Sequence, residues 1–195
     1  MKRVLAIALV AVLACVALAA AQGPPPKPTP APEVKKLDYF AGTWKSEGEL
    51  KPGPFGPGGK LSGVDHNEWM AGHFFLVFHS TNASPMGHVA ETAYMGYSTE
   101  DKAYTYDAFN SMGEAEHAKG TVEGDTWTWT NTEKMGGQVM KGRYTITVAS
   151  PTSYSFKFEV APEGGSDYST VVEGKATKVT TAKASKEAEG AAAKK

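Results

Sequence analysis

Short runs rich in Thr, Val, Tyr, Phe and Trp recur along most of this chain, and the links between them are only a few residues long. Glycine, aspartate, asparagine or proline occupies these links, as in Gly124-Asp125 and Ser150-Pro151. Links of this length join antiparallel neighbours, because a parallel crossover needs a dozen residues or more. The pattern therefore predicts an all-β fold in which each strand pairs with the next.

The same rules predict about ten strands. The predicted strands are Thr43–Leu50, Leu61–Met70, His73–Thr81, Val89–Ser98, Ala103–Asn110, Glu114–Glu123, Thr126–Glu133, Gln138–Val148, Ser153–Ala161 and Thr170–Val179. A meander of this kind closes most economically into an up-and-down antiparallel β-barrel, because closure removes exposed strand edges. A barrel of that strand count is wide enough to leave an internal cavity.

The two ends of the chain differ in composition from this central region. Residues 1–21 begin with basic residues, continue through an apolar run and end in three alanines, which predicts a secretory signal peptide cleaved after Ala21. Residues 22–35 form a proline-rich linker, residues 36–181 a single domain, and residues 182–195 a low-complexity polar tail that is predicted to be disordered.

Cysteine usage and charge restrict the compartment and the partners. Cys15, the only cysteine, lies in the leader, so cleavage leaves a chain without thiols, which favours a bacterial periplasm or secretion. Acylation of Cys15 as a lipoprotein is the less favoured alternative, since the apolar run continues past it. We expect no transmembrane span in the mature chain. A net charge of -1 without a basic cluster argues against nucleic acid as a partner.

Alternation predicts which side chains face the barrel interior. In TWKSEGEL the polar odd positions should face water, so Trp44, Ser46, Gly48 and Leu50 face inward, and two of the four are small enough to leave space. Aromatic residues elsewhere repeat the alternation and either fill the core or line a ligand cavity. The candidate cavity residues are Trp44, Tyr104, Tyr106, Trp127, Trp129, Phe156 and Phe158.

The third predicted strand, HFFLVFHS, is apolar at both odd and even positions, so one of its faces must be covered by something other than the barrel interior. A helical turn is predicted at EVKKLDYF, where Val34, Leu37 and Phe40 share a face. This turn is the nearest candidate cover, and a homodimer partner is the alternative.

Gly42-Thr43-Trp44 stands between that helical turn and the first strand. This Gly-x-Trp arrangement resembles the calycin superfamily of lipocalins and fatty-acid-binding proteins. More closely, LDYFAGTWKSEGEL, NEWMAGHFFLVFHS, AYMGYSTEDKAYTYDAF and SYSFKFEV resemble a bacterial family of domains of unknown function, the one numbered 1579, over residues 36–180. The resemblance implies a lipocalin-like cup closed near Gly42 and Trp44, often exported, and it supplies no ligand.

Nitrobindin-like barrels share the Gly-x-Trp start and hold haem through a late histidine. Here the last histidine is His117, and the final strands carry none, so that ligation cannot be transferred to this chain.

The rim should lie opposite the closed end, at alternate connections. One of these is the loop KPGPFGPGGK, and three others carry Met-Gly pairs. Methionine suits an adaptable apolar entrance, although the pairs could also serve turn geometry alone or bind Cu(I). The candidate mouth residues are Phe55, Met86, Met112 and Met135.

No motif in the chain assembles a metal or catalytic site. Glu114 and Glu116 share a strand face, which we interpret as an exposed charged face. We therefore predict no catalytic residues, no metal ligands and no cofactor. A constellation built from isolated side chains stays open as an alternative, and its members would be His66, Glu68, His79, His88 or His117, with His73 as a further histidine.

The sequence thus predicts an exported, non-enzymatic, lipocalin-like barrel that binds a small hydrophobic or amphipathic ligand in its interior. One alternative is a haem- or metal-handling barrel or an enzyme that uses histidines near the cavity. Another is a structural or interaction module, in which the HFFLVFHS surface would form a homodimer.

Overall fold

A computed structural model of the protein describes residues 27–53, 56–135 and 137–179. The predicted signal peptide with Cys15, the candidate mouth residue Phe55 and the predicted polar tail lie outside these ranges. Within them, no helix has both the length and the apolar composition needed to cross a membrane.

Ten antiparallel strands form one closed barrel, in which each strand pairs with its sequence neighbours and β1 also pairs with β10. The strands are β1 Gly42–Leu50, β2 Gly59–Trp69, β3 Leu76–Ser84, β4 Gly87–Ser98, β5 Ala103–Asn110, β6 Ala115–Glu123, β7 Thr126–Met135, β8 Gln138–Ser150, β9 Ser153–Pro162 and β10 Ser169–Lys178. The predicted all-β, up-and-down barrel is confirmed, and most strand ends lie within a few residues of the predicted ones.

The start of β3 is the main difference from the predicted strands. The prediction began this strand at His73, but the backbone from Met70 to Phe75 turns, with the Met70 amide donating to the Phe75 carbonyl over 3.0 Å and the His73 amide to the Met70 carbonyl over 3.0 Å. Gly72 and His73 take positive φ angles of 91° and 57° inside this turn. The segment HFF is therefore a link, and the strand that was predicted to be apolar on both faces begins only at Leu76.

A 3₁₀ helix, Pro32–Phe40, precedes the barrel and is called the N-terminal helix below. Proline in its first turn fixes a helical φ without losing a needed hydrogen bond. A 3₁₀ helix has three residues per turn, so Val34, Leu37 and Phe40 lie on one face, and all three are buried. The helix starts inside the range 22–35 that was predicted to be linker.

The N-terminal helix closes one end of the barrel from the inside. Its buried face joins Trp44, Trp127 and Tyr154 in one hydrophobic cluster. This location corrects the prediction that the helical turn covers the outer face of the third strand. The prediction was wrong because the HFF segment is a turn, so the apolar outer face expected along the third strand is shorter than predicted and does not need the helix as a cover.

Hydrogen bonds to strand ends hold the helix in place. The Tyr39 hydroxyl donates to the Ser150 and Ser153 carbonyls over 3.0 and 2.9 Å, at the β8–β9 link. The Trp69 indole N–H donates to Asp38 over 3.0 Å, and the Tyr104 hydroxyl donates to a carbonyl of the helix's first turn over 3.0 Å. Every link that follows an odd-numbered strand therefore lies at the opposite end, the rim, as the sequence predicted.

Gly42 and Trp44 explain the Gly-x-Trp arrangement in physical terms. Gly42 has a φ of 102°, a conformation that L side chains rarely adopt, and it redirects the chain from the helix into β1. Trp44 is fully buried, and its indole N–H donates to the Phe40 carbonyl over 2.9 Å. The glycine makes the turn and the tryptophan anchors the helix.

Truncating the buried face of the N-terminal helix should destabilise the whole barrel. Leu37 is fully buried, so we expect Leu37→Ala to lower the free energy of unfolding by about 2–5 kcal/mol. Lys36→Ala, at an exposed position of the same helix, should change it by less than about 0.5 kcal/mol. Urea denaturation of both variants gives the comparison, and equal stabilities would contradict the closing role of the helix.

Candidate functional site

A cavity of about 360 Å³ lies inside the barrel, between the N-terminal helix and the rim. The lining side chains come from the end of the helix and from all ten strands: Phe40, Ser46, Leu61, Asp65, Phe78, Ser80, Asn82, Glu91, Met95, Tyr106, Glu116, Trp129, Tyr144, Ile146, Tyr154, Phe156, Phe158 and Val172. Its volume falls within the range of about 300–1,000 Å³ that is typical of small-molecule sites.

Small residues let β1 approach its neighbours β2 and β10 closely. Ser46 pairs directly with Gly63, and a Cβ on Gly63 would lie 2.6 Å from the Ser46 hydroxyl oxygen. Gly48 pairs with Gly174, where a Cβ on Gly48 would come within 2.5 Å of the Glu173 carbonyl. Ser46 lines the cavity, together with Leu61 of β2 and Val172 of β10, whereas Gly48 does not. The geometry thus agrees with the expected space at Ser46 and not at Gly48.

The structure divides the seven candidate cavity residues into two groups. Tyr106, Trp129, Phe156 and Phe158 line the cavity. The other three, which are Trp44, Tyr104 and Trp127, face inward but pack around the N-terminal helix and do not reach the cavity.

The reason for this division is height along the barrel. Phe40 is in edge-to-face contact with Trp127 at 5.1 Å, and Tyr104 contacts Trp127 at 4.8 Å, measured between ring centroids. These aromatics fill the closed end together with the helix. Alternation correctly gave the inward face, but it carries no information about which inward residues the helix covers.

The candidate mouth methionines are exposed at the rim. Met86 is 62% exposed and Met112 is 68% exposed, each in a tight turn. Met86 lies against Gly56 of the β1–β2 loop, where a Cβ on the glycine would be 2.9 Å from the sulfur. The backbone of Met135 ends β7, while its side chain, like Phe55, lies outside the described residues.

All five histidines are exposed, and none lines the cavity. His66 Nδ1 lies 3.1 Å from the Thr43 hydroxyl, and His117 Nδ1 lies 2.7 Å from Asp107 on the outer surface. Among the described residues, no group of three or more His, Cys, Asp or Glu side chains is arranged to hold a metal ion.

Three carboxyl groups line the cavity, and none of them was predicted to do so from the sequence. They are Asp65 on β2, Glu91 on β4 and Glu116 on β6. Glu116 was interpreted as part of an exposed charged face, and this was wrong: it alternates with buried Ala118 and Gly120. Glu91 shared its predicted strand face with Ala93 and Met95, which was a usable signal that it faces inward.

Burial raises the pKa of each of these carboxyls. Desolvation is the largest cause at Asp65, where the Ser80 hydroxyl opposes it, and at Glu91, whose carboxylate accepts a hydrogen bond from the Tyr106 hydroxyl over 2.8 Å. At Glu116, desolvation followed by repulsion from Glu133 and Glu91 raises the pKa to about 7. Glu116 accepts one hydrogen bond over 3.0 Å, from the Asn131 amide.

Two residues that line the cavity carry a polar group with no hydrogen-bond partner among the described residues. The indole N–H of Trp129, a residue that is only 4% exposed, is one such buried group. The Tyr154 hydroxyl is another: this residue is 8% exposed and lines the cavity, and its pKa is raised by burial and then by the charge of Asp65. The Trp129 N–H is enclosed beside Gly120, so a ligand in the cavity could supply a partner only to the Tyr154 hydroxyl.

A closed ten-stranded antiparallel barrel with a helix at one end and an internal cavity defines the class of a calycin-like barrel protein. The family model described as "Protein of unknown function (DUF1579)" matches residues 29–178, and the chain belongs to this family. The resemblance drawn from the sequence is thereby confirmed.

The fold is similar to that of Rv2717c from M. tuberculosis, with 13% sequence identity, a TM-score of 0.53, and coverage of 77% of this chain and 99% of that chain. A structure of EF1p2_mFAP2b bound to DFHBI matches with 13% identity and a TM-score of 0.41, covering 75% of this chain and 98% of that chain. Curated proteins give no match. These likenesses concern the fold alone.

The raised pKa of Glu116 should make stability depend on pH. The folded state keeps the proton up to a pKa of about 7, whereas the unfolded chain loses it near 4.5, so the stabilising contribution is lost as pH rises through this window. The free energy of unfolding should therefore fall between pH 5 and pH 8, and it should fall less in Glu116→Gln. Asp65 and Glu91 act in the same direction, so part of the fall remains.

The control for this measurement is Glu123→Gln, at the exposed end of the same strand, which should follow the wild-type pH dependence. Urea titrations at the two pH values suffice. If Glu116→Gln and wild type lose the same stability over the window, Glu116 does not hold its proton in the folded state.

Proposed function

We propose that the protein binds a small hydrophobic or amphipathic molecule inside the barrel, and that it does so after export from the cell. The observation that carries the proposal is the internal cavity, whose wall combines aromatic rings with a few convergent polar groups. This combination is typical of ligand sites, in which apolar surface supplies affinity and polar groups fix orientation.

The energetic cost of the cavity supports binding over a purely structural role. An unfilled cavity forfeits packing energy on the order of 20 cal/mol per Å³. Ser46 and Ser80 stand at buried positions where a larger apolar side chain would recover part of that energy. A barrel that served only as a scaffold would gain from filling this space.

The positions of the histidines weigh against the haem- or metal-handling alternative. Its candidates His66, His79, His88 and His117 are exposed outside the cavity, and so is Glu68. The cavity wall therefore offers no imidazole to a haem iron. The absence of enzymatic activity stays a prediction.

Homodimerisation also stays a prediction. The segment that suggested it is a turn, but Phe75 within it is 41% exposed and lies over Gly96, where its ring approaches the position of a Cβ to 2.6 Å. A small apolar area is thus present on the outer surface near the start of β3.

A larger side chain in the cavity wall should weaken binding while leaving the fold intact. Ser46→Leu places a branched side chain into the space, so we expect the dissociation constant for a neutral probe, 2-(1-naphthyl)ethanol, to rise at least about tenfold. Isothermal titration calorimetry measures the constant for each variant.

The matched control is Ser62→Leu, the same change at an exposed position of β2. It should bind the probe as wild type does. Unchanged binding in Ser46→Leu would show that the probe occupies a surface site, and the interior-binding proposal would fail.

Export can be tested independently of binding. The leader predicts that the mature chain begins at Gln22, so intact-mass spectrometry of protein isolated from a bacterial periplasm should give the mass of residues 22–195. A mature chain beginning with an acylated Cys15 would instead establish the lipoprotein alternative. Recovery of the full-length chain from the cytoplasm alone would contradict export.

A further inference from the structure

The cavity is charged with one sign only. Asp65, Glu91 and Glu116 line it, and no lysine, arginine or histidine does so in the part of the chain that the structure describes. Cations near the barrel wall are engaged outside the cavity. Arg143 donates to Glu159 over 2.8 Å with its guanidinium 3.9 Å from the Tyr168 ring centroid, and Lys178 donates to the Tyr39 carbonyl at the closed end over 3.2 Å.

Two of the carboxyls belong to one row across neighbouring strands. Asp65 pairs directly with Ser80, and Ser80 pairs directly with Glu91. Side chains directly opposite each other on adjacent strands lie about 5 Å apart, so the two carboxyls flank the Ser80 hydroxyl at the same height in the barrel. Glu91 in turn raises the pKa of Glu116 through its charge, which shows that the third carboxyl is within electrostatic reach.

The hydrogen bonds that these carboxyls accept are few and come from neutral groups. Glu91 accepts from Tyr106, and Glu116 from Asn131, while the Ser80 hydroxyl acts on Asp65. Each carboxylate can accept about four hydrogen bonds, so acceptor capacity remains at all three. Carboxylates that are buried without a positive partner favour the binding of a cation.

The opposite part of the wall is aromatic. Trp129 on β7, Tyr144 on β8, and Tyr154, Phe156 and Phe158 on β9 belong to consecutive strands, whereas the carboxyls lie on the arc from β2 to β6. The Tyr144 and Phe156 rings stack with centroids 6.1 Å apart.

These rings suit a positively charged guest. Aromatic faces attract organic cations through the ring quadrupole as well as by burying apolar surface. The unpartnered Tyr154 hydroxyl, within the electrostatic reach of Asp65, is a further acceptor for an N–H donor. This hydroxyl is a second observation, separate from the carboxyls, of a polar group in the cavity wall that lacks a partner.

The three carboxyls do not converge as metal ligands do. They are not among any group of three or more acidic, histidine or cysteine side chains able to hold a metal ion in the described residues. The wall therefore suits a cation that also carries apolar surface for the aromatic arc.

We propose that the cavity selects a small organic cation, an aryl- or alkylammonium compound, over neutral and anionic molecules of the same size. The ammonium group contacts Asp65 and Glu91, and the apolar part lies against Trp129, Tyr144 and Phe156. Fatty acids and haem propionates are disfavoured, because their carboxylates would face like charges without a basic partner. This inference rests on the proposed function, that the interior binds a small molecule.

The test compares three probes that share one ring system: 2-(1-naphthyl)ethylamine, 2-(1-naphthyl)ethanol and 1-naphthylacetic acid. Calorimetry at pH 7 should give at least about tenfold tighter binding for the amine than for the alcohol, and the weakest binding for the acid. Glu91→Gln should remove at least about tenfold of the amine affinity and leave the alcohol unchanged. Its amide oxygen can still accept from Tyr106, which keeps the wall intact.

Two further variants make the test specific. Asp65→Asn is a second, independent removal of charge, so the proposal stays testable if Glu91→Gln fails to fold. Glu68→Gln removes an exposed carboxyl from the outer face of β2 and should leave all three affinities unchanged.

The outcomes separate this inference from the proposed function. Amine preference that is lost in Glu91→Gln or Asp65→Asn but kept in Glu68→Gln supports it. Binding of the alcohol or the acid as tight as that of the amine overturns the cation inference and leaves interior binding intact. No binding of any probe, together with no co-purifying small molecule in native mass spectrometry, overturns both.

Discussion

The carbonyl of Phe40 is the point on which the interior of this barrel depends. It accepts hydrogen bonds from the Trp44 indole and from the Asn67 amide, each over 2.9 Å, on two adjacent strands. A carbonyl at the end of a helix lacks an intrahelical partner, so these two donors satisfy it where water cannot reach. They also fix how deep the N-terminal helix sits, and with it the floor of the cavity, which Phe40 itself forms.

Phe40 lies between two regions of the interior that differ in chemistry. Below, aromatic rings pack around the helix, and the polar tips of Tyr39, Tyr104 and Trp69 find partners on its backbone or side chains and on a neighbouring strand link. Above, the wall keeps small residues and buried carboxyls. Burying carboxyls that lack a cation costs stability. The aromatic packing of the lower region offsets this cost in the upper region.

Much of the fold could be predicted from the sequence, because link length and alternation are local and strongly constrained. Two-residue links such as Gly124-Asp125 permit only an antiparallel neighbour, and ten such strands have few ways to hide their edges. The start of β3 was mispredicted because aromatic residues favour strands, while the turn there depends on hydrogen bonds between Met70 and Phe75 that no local pattern encodes. The site could be predicted less well: alternation placed both Trp127 and Trp129 inward. Phe40 packs against both rings, at 5.1 and 6.4 Å between centroids, but only Trp129 also reaches the cavity. Glu116 was assigned outward by the general rule that charges face water, and tertiary closure overrode that rule.

The buried carboxyls connect stability to ligand binding through one physical cause. The desolvation that raises the pKa of Glu116 and Glu91 reflects how poorly the cavity wall solvates negative charge. An organic cation placed beside them supplies that missing interaction, so under the cation proposal its binding lowers these pKa values and releases protons near neutral pH. Binding to the folded state alone also stabilises the fold in proportion to the logarithm of ligand concentration over the dissociation constant. Carboxyl groups buried without a positive partner lower the stability of the barrel. A cationic ligand offsets this cost by pairing with them, whereas a neutral molecule of equal size would fill the cavity and leave the carboxylates unpaired.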